Sequence, residues 1–316
     1  MSHKLISSRI FLSLVLIAVV LSAPFFVYPI FLMKVLCFAV AASAVNLLLG
    51  YMGMLSFGHA MFFGTSSYIS AHLLKVVGLT PEVAIIAATL VSTVLGYLCG
   101  LVAIRRQGIY FAMITLAVAQ VVYFFSLQAP FTHGEDGIQN VPRNPVFGVI
   151  DISADYSAYL FTSIICISAL LFIARLVHSP LGRVMSAVRD NEARAVSLGY
   201  RADREKLRIF VISASLTGLA GATKVVAVQL ASLTDVSWHL SGELVLICLV
   251  GGLGTLVGPI VGSFIIVAIG TYLAGLSDWV LIVQGSVFFI TVLMFREGIV
   301  GYGLKIRNRA RAGVQG

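Results

Sequence analysis

Apolar residues run along this chain in blocks of membrane-spanning length, separated by short polar breaks. The blocks fall at 10–28, 31–49, 57–77, 83–103, 110–129, 157–177, 208–231 and 279–295, and a longer, interrupted stretch covers 243–274. A helix needs roughly 20 apolar residues to cross ~30 Å of hydrocarbon, so each block predicts one spanning helix. The breaks leave no room for a soluble domain. The pattern therefore predicts an all-α polytopic transmembrane bundle of about 8–10 membrane segments, built as a single domain over 1–316.

Two segments depart from the block pattern. Within 243–274 lies Gly251-Gly252-Leu253-Gly254-Thr255-Leu256-Val257-Gly258-Pro259, too rich in Gly and Pro for a regular helix. Two arms broken there predict a re-entrant or broken-helix element; the alternative is one long tilted helix whose glycines allow close packing. The second segment, 179–199, opens with Ser179-Pro180, a capping hydroxyl followed by proline at the first helical position. Leu181, Val184, Met185, Val188, Ala195, Val196 and Leu198 make a broken apolar stripe, and Gly199 is a suitable stop. The charged Arg183, Arg189, Asp190, Glu192 and Arg194 lie opposite. This predicts a short amphipathic helix in a polar loop.

Composition agrees with a membrane protein: 59% of the 316 residues are hydrophobic and 11% charged, against about a quarter charged in a soluble domain. Lys4 and Arg9 before the first block resemble a signal peptide. Pro24 directly after Leu21-Ser22-Ala23 is a poor cleavage context, and the first block is read as an uncleaved helix. Cys37, Cys99, Cys166 and Cys248 all fall in apolar blocks and read as packing residues rather than a disulfide or metal set.

The net charge of +8 is distributed by side, so it is no sign of nucleic-acid binding. With the N-terminus cytoplasmic, all 21 basic residues except Lys34, Lys75, Arg143 and Lys224 fall on the cytoplasmic side, as the positive-inside rule requires. The 130–157 loop carries Glu135, Asp136, Asp151 and Asp155 against Arg143 and reads as periplasmic. Keeping Lys305, Arg307, Arg309 and Arg311 inside requires 243–274 to enter and leave on one face. Both termini are then cytoplasmic in a multi-pass protein of the bacterial inner membrane.

Ion-coupled transporters hold titratable groups within their spans. The 13 acidic residues here fall in loops or at span ends, with Glu82 and Glu243 each opening a span. The chain also lacks a G-x-x-x-x-G-K-[ST] phosphate loop, so energy for active transport would enter through a partner. No cofactor is expected. The 178–208 loop mixes acidic and basic residues, which suits a protein partner better than a lipid surface alone.

Four stretches then resemble one family. The segment Ser179–Gly199 is similar to the cytoplasmic loop of LivM-type permeases of branched-chain amino acid ABC importers. So are Asn46–Ala60 (Asn-Leu-Leu-Leu-Gly-Tyr-Met-Gly-Met-Leu-Ser-Phe-Gly-His-Ala), Arg106–Ala117 (Arg-Gln-Gly-Ile-Tyr-Phe-Ala-Met-Ile-Thr-Leu-Ala) and Gly251–Pro259. The resemblance spans roughly 35–300 and implies a transporter subunit rather than an enzyme. It implies a heterodimer with a LivH-type paralogue, two ATP-binding cassette subunits on the cytoplasmic side and a periplasmic substrate-binding protein. It also implies that 179–199 supplies the coupling helix, through Arg183, Arg189, Asp190, Asn191, Glu192, Ala193, Leu198 and Gly199. Importer permeases more generally carry EAA-x₃-G-x₉-I-x-L-P there. This chain has Glu192-Ala193, but Arg194 replaces the second alanine, Gly199 is one residue late, and Val211-Ile212 replaces Leu-Pro.

Candidate pathway residues follow from polarity in apolar blocks. Asn46, Gly50, Ser56, Gly58 and His59 make a bendable, polar stretch, read either as a broken helix beside the pathway or as small-residue packing with interhelical hydrogen bonds. Thr115 and Gln120 lie in an apolar helix and have the same two readings. Gly251, Gly252 and Gly254 join the set through the broken element. His59 has no companion ligand nearby, so no metal site is expected. Gly134-Glu135-Asp136-Gly137 reads as a periplasmic turn, and Lys224 as a side chain that snorkels to the interface. Two alternatives stay open: the same architecture importing urea, short amides or other amino acids, or an ion-coupled secondary transporter. A membrane enzyme is disfavoured by the scatter of the six histidines.

Overall fold

A computed structural model describes residues 22–273, 275, 277–294 and 298–302. Most of the first predicted block and the basic tail therefore lie outside the described residues. Among the described residues every regular element is helical, apart from two isolated bridges, Ile138–Ala231 and Val146–Ile150. In chain order the helices are α1 Pro29–Asn46, α2 His59–His72, α3 Pro81–Ala103, α4 Ile109–Gln128 and α5 Asp155–Val177. Then come α6 Pro180–Asp190, α7 Glu192–Ser197, α8 Ala202–Val228, α9 Trp238–Gly251, α10 Gly258–Tyr272 and α11 Ser277–Met294. Single π-turns extend α1 over Leu47–Met52 and α2 over Leu73–Val77.

Five of these are long and apolar enough to cross a membrane: α1 with its π-turn, α3, α4, α5 and α8. Burial sorts them. The apolar windows of α1 and α8 are 78% buried, those of α3, α4 and α5 only 28–33%. With α2, which is buried along most of its length, α1 and α8 form the centre. The outer three leave Ile86, Leu90, Val121, Phe124, Ile164 and Leu171 exposed, as a hydrocarbon solvent permits.

Between helices in lipid there is no hydrophobic drive, so close packing of small residues has to supply the attraction. Ser92 and Gly96 of α3 meet Gly218 and Ala214 of α8, and a Cβ on either glycine would collide with the facing side chain. Gly221 of α8 packs on the backbone of Phe63 in the same manner. Hydroxyls complete the seams: Ser67 Oγ donates to the Gly221 carbonyl at 3.0 Å, and Ser92 Oγ to that of Ala214 at 3.1 Å.

The interrupted stretch is resolved as two short helices. α9 and α10 have 14 and 15 residues, about 21–22 Å at 1.5 Å per residue, less than a full crossing. Gly251 packs on Gly258 and Gly262 on the Ile247 carbonyl, so the arms run antiparallel and the hairpin enters and leaves at one end of the bundle. After α11 the chain returns to the hairpin tip, where Gly298 rests on Gly252. The broken-element expectation therefore holds, and the single tilted helix does not.

At the end where the hairpin enters, the 129–154 loop is stapled down. Arg143 Nε and Nη2 donate to the carbonyls of Val226 and Ala227 at 3.1 and 2.9 Å, and Nη1 pairs with Asp155 at 2.7 Å. A guanidinium there closes the negative end of α8. Asn144 holds the carbonyls of Leu74 and Leu79. Asp151 accepts from the Ser153 hydroxyl and N–H, which hold its carboxyl below the usual range. Glu135 and Asp136 are exposed on this loop.

Candidate functional site

The π-turn at the end of α1 and Gly53 decide the geometry of the site. Gly53 takes φ +75° and ends the helix with a 2.9 Å bond from Met54 N–H to the Leu48 carbonyl. The left-handed position favours glycine, and a Cβ there would also press on the Arg189 side chain. The carbonyls of the last helical turn are left without helical partners. Arg189, at the end of α6, donates through Nη1 to that of Gly50.

The other face of Gly50 meets the hairpin tip. A Cβ would stand 2.5 Å from the Gly254 nitrogen and would collide with Asn46 Oδ1. Asn46 uses both ends of its amide: Oδ1 accepts from Gly254 N–H at 3.0 Å, and Nδ2 donates to the Thr255 carbonyl at 2.8 Å. An amide has both functions on one group, so one buried side chain satisfies both strands of the turn. Thr255 Oγ1 closes the turn by donating to the Gly252 carbonyl and accepting from Gly258 N–H. Arg189, Gly50, Asn46, Gly252 and Gly254 thus form one junction of α6, α1 and the hairpin.

The amphipathic segment is two helices, not one. Asn191 is extended at φ −161°, ψ 100°, and its Oδ1 caps α7 by accepting from Arg194 N–H at 2.9 Å. Ser179 does not cap α6; its hydroxyl turns back to the Leu176 carbonyl at 2.6 Å. The tight α5–α6 turn rests on Gly182 instead, where a Cβ would strike the Val177 carbonyl. Met185, Val188 and Ala195 are buried, but Val196 and Leu198 are 54% and 70% exposed, so the tail of the stripe faces outward. Gly199 ends α7 at φ +92°. Arg183, Asp190 and Ala193 are exposed beside it. Glu192 is committed inward, accepting from Lys206 Nζ of α8, whose side chain is 5% exposed. A cavity of about 290 Å³ separates this surface from the α3–α4 turn and is lined by Arg106, Arg189, Asp190, Glu192 and Lys206.

The remaining polar candidates hold helices together. His59 Nε2 lies 2.9 Å from Ser213 Oγ, which donates to the Ala44 carbonyl at 2.6 Å. That donation uses the hydroxyl's one proton, so the histidine donates to Ser213, and α2, α8 and α1 are tied in series. Thr115 Oγ1 accepts from Phe57 N–H at 3.2 Å, Gly58 packs on the Thr115 backbone, and Ser56 Oγ accepts from Gly58 N–H. Gln120 is half-buried, over a turn further along α4. Lys224 does not snorkel: it is buried and bonded to both Asp235 oxygens at 2.7 and 3.0 Å. Among the described residues no three His, Cys, Asp or Glu side chains gather as a metal site would require.

The family profile described as "Branched-chain amino acid transport system / permease component" matches residues 28–292. The chain belongs to this family. This permease is 25% identical over 304 residues to the high-affinity branched-chain amino acid transport system permease protein LivM of Escherichia coli, covering 88% of this chain and 72% of that protein. It is 22% identical to a probable LivH permease of Methanocaldococcus jannaschii over 79% of this chain and 82% of that one. A ribose import permease, RbsC of Bacillus subtilis, is 31% identical over 43% of this chain and 45% of its own. No solved structure matches the permease. The match to LivM proteins makes it a LivM-type permease, as the sequence motifs imply.

Proposed function

We propose that this permease is one of the two membrane-spanning subunits of an ATP-driven importer of branched-chain amino acids. It would pair with a LivH-type paralogue in the bacterial inner membrane, dock one of the assembly's two ATP-binding cassette subunits through α6–α7, and receive substrate from a periplasmic binding protein. The observation that carries the reading is the bond from Arg189 to the Gly50 carbonyl. A partner pressing on exposed Arg183, Asp190, Ala193, Leu198 and Gly199 moves α6. Arg189 passes that displacement to the end of α1 and, through Asn46, to the tip of the α9–α10 hairpin. Both termini face the cytoplasm in this scheme, and the hairpin opens toward the periplasm.

Reconstituting the permease with its paralogue, both ATPases and the binding protein tests this. Arg189→Ala should lower leucine moved per ATP hydrolysed at least tenfold, while the assembly elutes as one complex. An unchanged ratio removes Arg189 from the coupling path. Leucine uptake without ATP would return ion coupling. Hydrolysis stimulated by a binding protein loaded with urea or a short amide, and not with leucine, would keep the architecture and change the cargo.

A further inference from the structure

At the end of the bundle opposite α6, a cavity of about 520 Å³ opens between the first turns of α1, the last turns of α8 and the start of α9. Its lining carries four charged side chains: Lys34, Lys224, Asp235 and Glu243. Two of them neutralise each other. Asp235 accepts from Lys224 through both oxygens and from Ser232 N–H, so that pair has little left to offer a ligand. Lys34 and Glu243 are different. Among the described residues neither makes an ion pair or a hydrogen bond; Lys34 Nζ stands 6.0 Å from the centroid of the Phe38 ring, at the edge of cation–π range, and Glu243 faces the same cavity.

Both lie inside the helices rather than at their tips. Each is five residues past the first residue of its helix, α1 from Pro29 and α9 from Trp238, or about 7.5 Å along the axis. The apparent opening position of Glu243 in the sequence is thus an interior one. Ionisable groups without a hydrogen-bonded partner at such depth are costly in hydrocarbon and mark wet cavities and ligand paths. Phe38, Val228 and Leu240 supply apolar wall beside them.

We propose that this cavity is a zwitterion site, in which a hydrophobic amino acid places its carboxylate on Lys34 and its ammonium on Glu243, with the side chain against Phe38, Val228 and Leu240. One cation and one anion held apart by a cavity match a ligand carrying the opposite pair. A sugar, or a neutral amide such as urea, would leave both charges unmet. The proposal rests on the import reading above and locates where substrate first meets this permease.

The test measures equilibrium binding of labelled leucine to the solubilised heterodimer–ATPase assembly without binding protein, with leucinamide (no carboxylate) and 4-methylpentanoate (no ammonium) as competitors. Uptake by the complete assembly in proteoliposomes is followed in parallel. The wild type should prefer leucine at least tenfold over either analogue. Lys34→Met should erase the preference over leucinamide alone, and Glu243→Gln the preference over 4-methylpentanoate alone; each should cut uptake at least tenfold. Lys34→Arg and Glu243→Asp should restore uptake to within threefold of wild type. A general folding lesion would weaken all three ligands together and would not be repaired by restoring charge, so that pattern overturns the site. Leucine uptake that ignores both substitutions overturns the site and leaves the import reading standing. A wild type that neither binds nor moves leucine or any other zwitterionic amino acid overturns both.

Discussion

Gly254 N–H donates to Oδ1 of Asn46 at 3.0 Å across 208 residues of sequence. The same amide returns a 2.8 Å bond to the Thr255 carbonyl, so a single side chain fastens the hairpin tip to the end of α1. Non-helical backbone at membrane depth is tolerated only where such partners exist. The relationship therefore explains how a Gly-rich turn survives inside the bundle.

Replacing Asn46 with Leu leaves a part-buried N–H and a part-buried carbonyl unpaired, at a cost of about 1–3 kcal/mol for each that water does not reach. The variant should unfold at lower temperature in detergent and lose uptake. Asn46→Asp keeps the acceptor and loses the donor, and should fall between. An Asn46→Leu protein as thermostable as wild type would show that the tip is held by something else.

Gly50 and Gly262 should reject even alanine. At Gly50 the added methyl meets Asn46 and Gly254, and at Gly262 it meets the Ile247 carbonyl. Overpacking of this kind costs about 1–3 kcal/mol. Gly242, with open space around it, should accept alanine with no loss. Thermal unfolding of the three variants side by side reads the contrast.

The Glu192–Lys206 pair should be asymmetric. Lys206 is buried and Glu192 is 28% exposed, so Glu192→Ala strands a cation, at a cost of about 3–5 kcal/mol. Lys206→Met leaves a carboxylate that can still reach water and should cost less. Equal losses would mean that water reaches Lys206 freely.

Topology can be read by labelling. In a background without the four native cysteines, Thr234→Cys and Gly275→Cys should react with an impermeant maleimide from one side of the membrane. Leu198→Cys should react only from the other. Labelling of Thr234→Cys and Gly275→Cys from opposite sides would make 243–274 a single crossing.

The sequence by itself determined the class of this protein. Lipid demands about 20 apolar residues per span and internally satisfied backbone, and both demands are written locally, so the spans of α1, α3, α4, α5 and α8 were legible as runs. So was the hairpin break, because Gly and Pro act on their own backbone, and so were the family motifs. Tertiary structure decided where the polar residues went. Asn46 and Gly254 were each visible as oddities, but their bond joins positions 208 apart. Lys224 read as a snorkelling side chain because its partner, Asp235, lies beyond the end of α8. Lys34 read only as an exception to the charge asymmetry and Glu243 as the opening of a span, because nothing local marks them as facing one cavity. Glu192 looked outward on the amphipathic pattern until the break at Asn191 turned it onto Lys206. An apolar residue is sorted by its solvent, which periodicity records; a polar residue inside a membrane is sorted by its partner, which only the packed helices supply.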